Sequence, residues 1–331
     1  MPASFPVVAV SEITRPLTIY LPRISPVTNI FTFKQQTMKG EQKLFNLGNT
    51  ITRDQLVFFE KNGYIQFRNF ISRDDAQALI EEVNGVQRYL VRKEITKVNG
   101  IPLKYGKDID GRPLVQRIAF ATQFSTSLRD FVQQDRLQLL KAFLGPYEGR
   151  IGESEKDGLV VNHYLNTGDS EYTRLGWHTD SPRDLFMGSR IMPMLNVGLH
   201  LDDCPASNGG LRVLAGTHNQ NILRLLFRKK YFVDHTPDKN ETGFDIASGD
   251  LTVHDGRLWH RVQQSPVIGE ASTRRVLYIP VVTGAYRPKN SNSTTPFYHK
   301  LGSLGNINPF KKAKEPVQEQ TLQPVPERVR A

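Results

Sequence analysis

Apolar residues recur along this chain in two rhythms, and the change from one to the other falls near residue 158. Before that point the spacing is mostly helical. Thr52-Arg53-Asp54-Gln55 opens a helix, with Thr52 as N-cap and Gln55 in the reciprocal capping-box position. Leu56, Phe58 and Phe59 form its apolar stripe, and Asn62-Gly63 ends it. Tyr64–Phe70 alternates as a strand does. Ser72 then caps a second helix running through Val83, with Ala76, Leu79, Ile80 and Val83 on one side. Residues 95–115 read as loop or hairpin around Asn99-Gly100 and Asp110-Gly111. Residues 126–144 read as one amphipathic helix carrying Leu128, Phe131, Val132, Leu137, Leu140 and Phe143, stopped by Gly145-Pro146.

Beyond residue 158 short apolar segments alternate with turn signals: Leu159–Leu165, Leu195–Leu201, Leu211–Leu214, Leu251–His254 and Val276–Val282. Helices followed by spaced short strands predict a mainly β fold with flanking helices, packed on a jelly roll or barrel. Residues 219–245 interrupt the strands with a helix-like run, Ile222–Tyr231, and are expected to form a lid insertion. At the ends, residues 1–48 are punctuated by five prolines and read as a partly ordered extension. Residues 301–331, rich in Pro, Gln and Glu, read as a disordered tail. One domain is therefore expected over 49–300.

Composition narrows the class. At 331 residues, 38% hydrophobic and 23% charged, the chain is long enough for one full core and ordinary enough to be globular. It has no apolar run long enough for a membrane span and no recognisable secretory leader. Its single cysteine, Cys204, excludes an intramolecular disulfide and a Cys-based metal site, and a reducing cytoplasm is the simplest expectation. The formal charge of +10 invites a nucleic-acid reading, but residues 1–48 and 311–331 together carry half of it. No nucleic-acid-binding signature accompanies it. The charge is read as solubility with some preference for anionic small molecules, toward which Arg228-Lys229-Lys230 could steer a substrate; a solvated helix face explains that run equally well.

The chemistry concentrates at Gly176-Trp177-His178-Thr179-Asp180 and Leu258-Trp259-His260. In an extended strand side chains repeat on one face every second residue, so His178 and Asp180 point the same way. A distant histidine delivered to that face completes a 2-His-1-carboxylate set, the ligand triad of non-haem Fe(II) oxygenases. His260, after a strand and tight turn at Gly249–Trp259, is the candidate third ligand. Arg274 and Arg275 stand just before the strand Val276–Val282, where a guanidinium can enter a barrel mouth.

Taken in order, these segments resemble the phytanoyl-CoA dioxygenase family. The resemblance runs from Thr52 to about Val282 and includes Asp202-Asp203 with Asn208–His218 between the two ligand segments. It implies a double-stranded β-helix fold and an oxygenase that uses Fe(II), 2-oxoglutarate and O2, releasing succinate and CO2. On this resemblance His178, Asp180 and His260 hold the metal. An arginine, Arg274 or Arg275, binds the far carboxylate of 2-oxoglutarate, because a guanidinium meets a carboxylate bidentately. The family's Gly-Ser pair after the distal histidine is replaced here by Arg261-Val262, leaving Asn162, Tyr164 or Thr217 to assist the co-substrate. Asp180 argues for hydroxylation or another oxidation over halogenation, since related halogenases carry a small residue there. His218 and His254 are expected to be structural hydrogen-bonders. The rival reading is a catalytically inactive double-stranded β-helix that serves as a binding module.

Overall fold

The computed structural model describes residues 39–181 and 191–296. The 301–331 tail and most of the 1–48 extension lie outside them. The first helix, Arg53–Asn62, carries the expected capping box, with the Gln55 backbone N–H donating to Thr52 Oγ1 at 3.3 Å and the Thr52 N–H to Gln55 Oε1 at 2.8 Å. Gly63 ends it at φ 79°, a left-handed turn that costs glycine nothing. The second helix is longer than its spacing suggested: it spans Arg73–Arg92 and passes through Gly85. A single mid-helix glycine costs only about 1 kcal/mol, and Val86 and Leu90 beyond it extend the buried stripe. The single helix expected over 126–144 is instead Thr126–Val132, Asp135–Gln138 and a 3-10 segment Leu139–Leu144, with Gln134 extended between the first two. Both halves bury their apolar residues in one core, so the periodicity continues across a break it cannot report. No described helix is long and apolar enough to cross a membrane.

Two sheets build the double-stranded β-helix of a jelly roll. The larger runs, in spatial order, Leu44–Phe45, Tyr64–Phe67, Leu251–Asp255, Met194–His200, Arg274–Val282, Val160–Tyr164, Pro113–Ile118 and Lys104–Lys107. Arg150–Ile151 pairs beside it with Arg274–Val282. The smaller sheet runs Thr242–Gly243, Gly210–Val213, His260–Gln263 and Leu175–His178. Asn99-Gly100, both at positive φ, makes the turn of a separate two-stranded ribbon.

One face of the large sheet carries Ile65, Phe67, Val161, Leu195, Val197, Leu199, Leu251, Val253, Leu277 and Ile279, and the helices cover it through Ala76, Leu79, Val83 and Leu90. The opposite face is polar. Directly paired residues share a face, and register opposes Asn196 to His254, Gly198 to Thr252 and Tyr278, Arg274 to Tyr164, and Val276 to Asn162. These positions look inward, toward the smaller sheet.

Burial leaves a pH signature. It pushes His163 down to about 4, aided by the nearby Arg275, and His200 down to about 3, aided by Arg274. His163 Nδ1 accepts from Gln87 Nε2 at 2.9 Å, a bond that requires a neutral ring. In the unfolded chain both rings take up a proton near pH 6.5, so below that value the unfolded state binds more protons and stability falls as pH falls. Each ring should cost about 2 kcal/mol at pH 5, at roughly 1.4 kcal/mol per pH unit. Urea midpoints of the metal-free protein at pH 7 and pH 5 check this; equal midpoints would mean that the rings protonate freely in the folded state.

Candidate active site

His178 closes the strand Leu175–His178, and His260 opens the antiparallel neighbour His260–Gln263; the two are direct partners in register. Their rings therefore stand on one face, with centroids 4.0 Å apart. Asp180 follows two residues on, held where it is by backbone: the Asp180 and Ser181 N–H groups both donate to Gly256 O, at 2.7 and 2.9 Å. A Cβ at Gly256 would sit 2.4 Å from Met194 Cγ, so any larger residue there would have to displace that side chain. All three ligand side chains are buried, and their ligating atoms lie within 4.8 Å of one another.

The hydrogen bonds orient this set for a cation. His178 Nδ1 donates to Gly176 O at 2.8 Å and His260 Nδ1 to Leu258 O at 2.9 Å. Fixing the proton on Nδ1 leaves each Nε2 lone pair facing the common centre. Burial, with His178 and His254 nearby, holds His260 well below the usual histidine range, so its ring is the neutral form that ligates metal. Asn196 Nδ2 donates to Asp180 Oδ2 at 3.0 Å, and that oxygen lies 3.8 Å from His260 Nε2. Two imidazole nitrogens and one carboxylate, without sulfur, suit a divalent first-row metal such as Fe(II).

Strand alternation separates the two arginines. Arg274 turns inward and is buried, its guanidinium 5.3 Å from the Tyr164 ring centroid. It donates to Gln263 O at 2.9 Å and to Thr173 O at 3.3 Å, and its Nε has no hydrogen-bond partner among the described residues. Arg275 turns outward into an ion pair with Asp202, at 2.9 and 2.5 Å, so that side chain is not brought to the pocket. Asn162 and Tyr164 join Arg274 on the inner face: Asn162 Nδ2 donates to Tyr164 Oη at 3.0 Å, and Tyr172 Oη donates to Asn162 Oδ1 at 3.3 Å. Burial raises the Tyr164 hydroxyl well above the ordinary tyrosine range, keeping it protonated. Tyr278, half-buried and opposite Gly198 in register, shares the inner face; burial raises its hydroxyl, and the charge of Asp180 adds to that while Arg274 opposes it.

Thr217 is placed elsewhere. Its hydroxyl donates to Leu214 O at 2.7 Å and accepts from the Trp259 N–H at 3.0 Å, so it braces the turn before His260. Arg261, where the family's glycine would stand, pairs with Glu241 at 2.7 Å on the far side of its strand. His218 bonds Glu60 O at 3.0 Å, a scaffold contact. His254, expected to be another structural hydrogen-bonder, has no hydrogen-bond partner at either nitrogen and lies beside Asp180 instead.

The 219–245 segment reaches the ligands. Only Ile222–Phe227 of it is α-helical. Farther on, Phe232 N donates to Trp177 O at 2.9 Å and Trp177 N donates to Asp234 O at 2.8 Å, adding a strand-like stretch to the edge of the small sheet. The Phe232 ring stacks on His178 with centroids 4.9 Å apart. Its φ of 63° is a left-handed conformation that costs a non-glycine residue about 1–2 kcal/mol. Gly176 permits the approach, because a Cβ there would lie 2.4 Å from Phe232 O.

Comparison with known proteins bears on the family and the fold. The model of the phytanoyl-CoA dioxygenase family matches residues 59–265. Among solved structures, EvdO2 from Micromonospora carbonacea var. aurantiaca, complexed with 2-oxoglutarate, superposes with a TM-score of 0.51 at 15% identity, covering 73% of this chain and 96% of that one. The α-ketoglutarate-dependent carbocyclase SnoK from nogalamycin biosynthesis gives 0.52 at 15% identity, over 82% and 95%. HygX from Streptomyces hygroscopicus, with nickel and 2-oxoglutarate bound, gives 0.50 at 15%, over 74% and 89%. At these identities the likeness shows a shared fold. No curated protein sequence matches the chain.

Proposed function

The chain belongs to the phytanoyl-CoA dioxygenase family and is a non-haem iron, 2-oxoglutarate-dependent dioxygenase; from that premise we propose that it hydroxylates a small organic molecule at a His178–Asp180–His260 centre. The balanced reaction takes substrate R–H, 2-oxoglutarate and O2 to R–OH, succinate and CO2. The observation that carries the assignment is the convergence of three buried ligands whose histidine Nδ1 protons are already committed to carbonyls. An inert binding module has no physical need for that arrangement, because leaving such donors together and desolvated costs stability.

Fe(II) with bound 2-oxoglutarate supplies O2 activation coupled to oxidative decarboxylation. The chain's own residues do the positioning. His178, Asp180 and His260 would hold the ion. Arg274 would meet the far carboxylate of 2-oxoglutarate, and its Nε, without a hydrogen-bond partner among the described residues, leaves a donor for it. Tyr164 and Asn162 form the polar wall beside it. Asn196 fixes the plane of Asp180. The 219–245 insertion acts as the lid, with Phe232 shielding His178 from water.

For the substrate, an acidic small molecule is favoured by the basic run Arg228-Lys229-Lys230, in which Lys229 is tied to Asp238 at 2.8 Å and Lys230 is exposed. Nucleic acid has no part in this reading. The free, buried Cys204 is compatible with a cytoplasmic setting. Purified protein supplied with Fe(II), 2-oxoglutarate and a panel of small organic acids should release succinate and give a product 16 Da heavier for at least one member. Succinate release no greater than that of His178→Ala across the panel would refute the proposal.

A further inference from the structure

We infer that His254 is a positioning residue of the metal centre, its Nε2–H holding the Asp180 carboxylate in the orientation the ion needs. The inference rests on the iron reading above. His254 stands on the inward face of the strand Leu251–Asp255, directly opposite Asn196, and is 1% exposed. Among the described residues neither of its ring nitrogens has a hydrogen-bond partner. A buried polar group left in that state is destabilising, so a site that needed only volume would be better filled by leucine or phenylalanine.

The geometry shows what the ring is placed against. His254 Nε2 lies 3.5 Å from Asp180 Oδ2, and its ring centroid is 4.4 Å from that of His260. A carboxylate only accepts, so the nitrogen facing it carries the proton. The separation is only a few tenths of an ångström beyond a good hydrogen bond. The same oxygen already accepts from Asn196 Nδ2 at 3.0 Å. Two cross-strand partners on the large sheet thus converge on one oxygen of a ligand that comes from outside that sheet. This is how a rigid scaffold fixes a carboxylate that sits on a loop.

A fourth-ligand role fits less well. The mutually close set contains only His178, Asp180 and His260. Adding His254 to six-coordinate iron would leave two positions, one fewer than chelating 2-oxoglutarate and O2 together require.

The test uses the full chain with Co(II) as probe, under anaerobic conditions. Binding is followed by quenching of Trp177 and Trp259, which adjoin the ligands, and by the visible Co(II) spectrum. His254→Leu cannot donate to Asp180; His254→Gln places an amide N–H near the position of Nε2. His254→Leu should weaken Co(II) by about 10–100-fold and shift its visible bands, the usual scale for loss of an outer partner of a ligand. His254→Gln should recover most of the affinity and the wild-type bands. If His254→Leu fails to fold by circular dichroism, His254→Asn, polar but too short to reach Oδ2, carries the same expectation. Wild-type affinity and spectrum in the Leu or Asn variant would make His254 a mere filler. Loss in His254→Gln as deep as in His178→Ala would make it a ligand. Either overturns the inference while leaving the iron reading intact. Absence of Co(II) binding by the wild-type protein overturns both.

Discussion

Asp180→Ala is expected to abolish substrate-dependent succinate formation and to weaken metal binding by more than the 10–100-fold typical of losing an outer partner. Three effects act in the same direction. The ion loses its only anionic protein ligand. Two neutral imidazoles remain, and His260 is already disfavoured as a cation by burial. The two donors aimed at the carboxylate, Asn196 at 3.0 Å and His254 at 3.5 Å, are left facing a methyl group. The fold should survive, because Asp180 is anchored through its backbone N–H to Gly256, and alanine keeps that bond. Co(II) titration and succinate assays, with a melting curve as control, check the prediction. Near-wild-type turnover with intact metal binding would remove Asp180 from the ligand set.

Arg274→Leu is expected to raise the KM for 2-oxoglutarate by at least about 30-fold, with a much smaller effect on kcat once the co-substrate saturates. The scale follows from truncating one partner of a buried, hydrogen-bonded charge pair, which costs roughly 2–5 kcal/mol. Lysine should rescue only partly, since an ammonium cannot present the paired donors of a guanidinium. Arg275→Leu is the informative control. It breaks the ion pair with Asp202 and should lower the melting temperature while leaving the KM for 2-oxoglutarate within about twofold, since Asp202 faces away from the pocket and the change in binding is below the roughly 1.4 kcal/mol that corresponds to tenfold. Steady-state kinetics of the three variants decide it. An Arg275→Leu defect in KM equal to that of Arg274→Leu would reverse the assignment of the two arginines.

The parts of this architecture most legible in the sequence were those where one residue type has one physical use. Thr52 with Gln55, and Gly63 after Asn62, mark a helix start and stop because capping and left-handed turns admit few residues. The proposed ligand pair His178 and Asp180 stands out for the same reason, although His-x-Asp spacing alone does not identify it. His200-Leu201-Asp202 has the same spacing, yet His200 bonds Thr252 at 3.0 Å and Asp202 holds Arg275. What was not legible lies on strands buried on both faces. Every residue of Val160–Tyr164 and of Leu251–Asp255 is buried, so alternation between polar and apolar residues no longer tells inside from outside. That concealed His254, which only cross-strand register brings beside Asn196. Phe232 was hidden differently: its place over His178 depends on Gly176 across the chain, a contact with no trace in local spacing.

The manner in which the insertion meets Leu175–His178 bears on the protein's behaviour in concentrated solution. That strand ends the small sheet, and an uncovered sheet edge is a template for pairing with other chains and for aggregation. Here the backbone of Phe232 and Asp234 occupies bonding positions at Trp177. A cover that peeled fully away at each turnover would bare that edge each time. Colloidal safety therefore favours an entrance that opens at the outer part of the insertion, around the exposed Leu223 and Phe227, while the segment laid against Leu175–His178 stays in place as its guard.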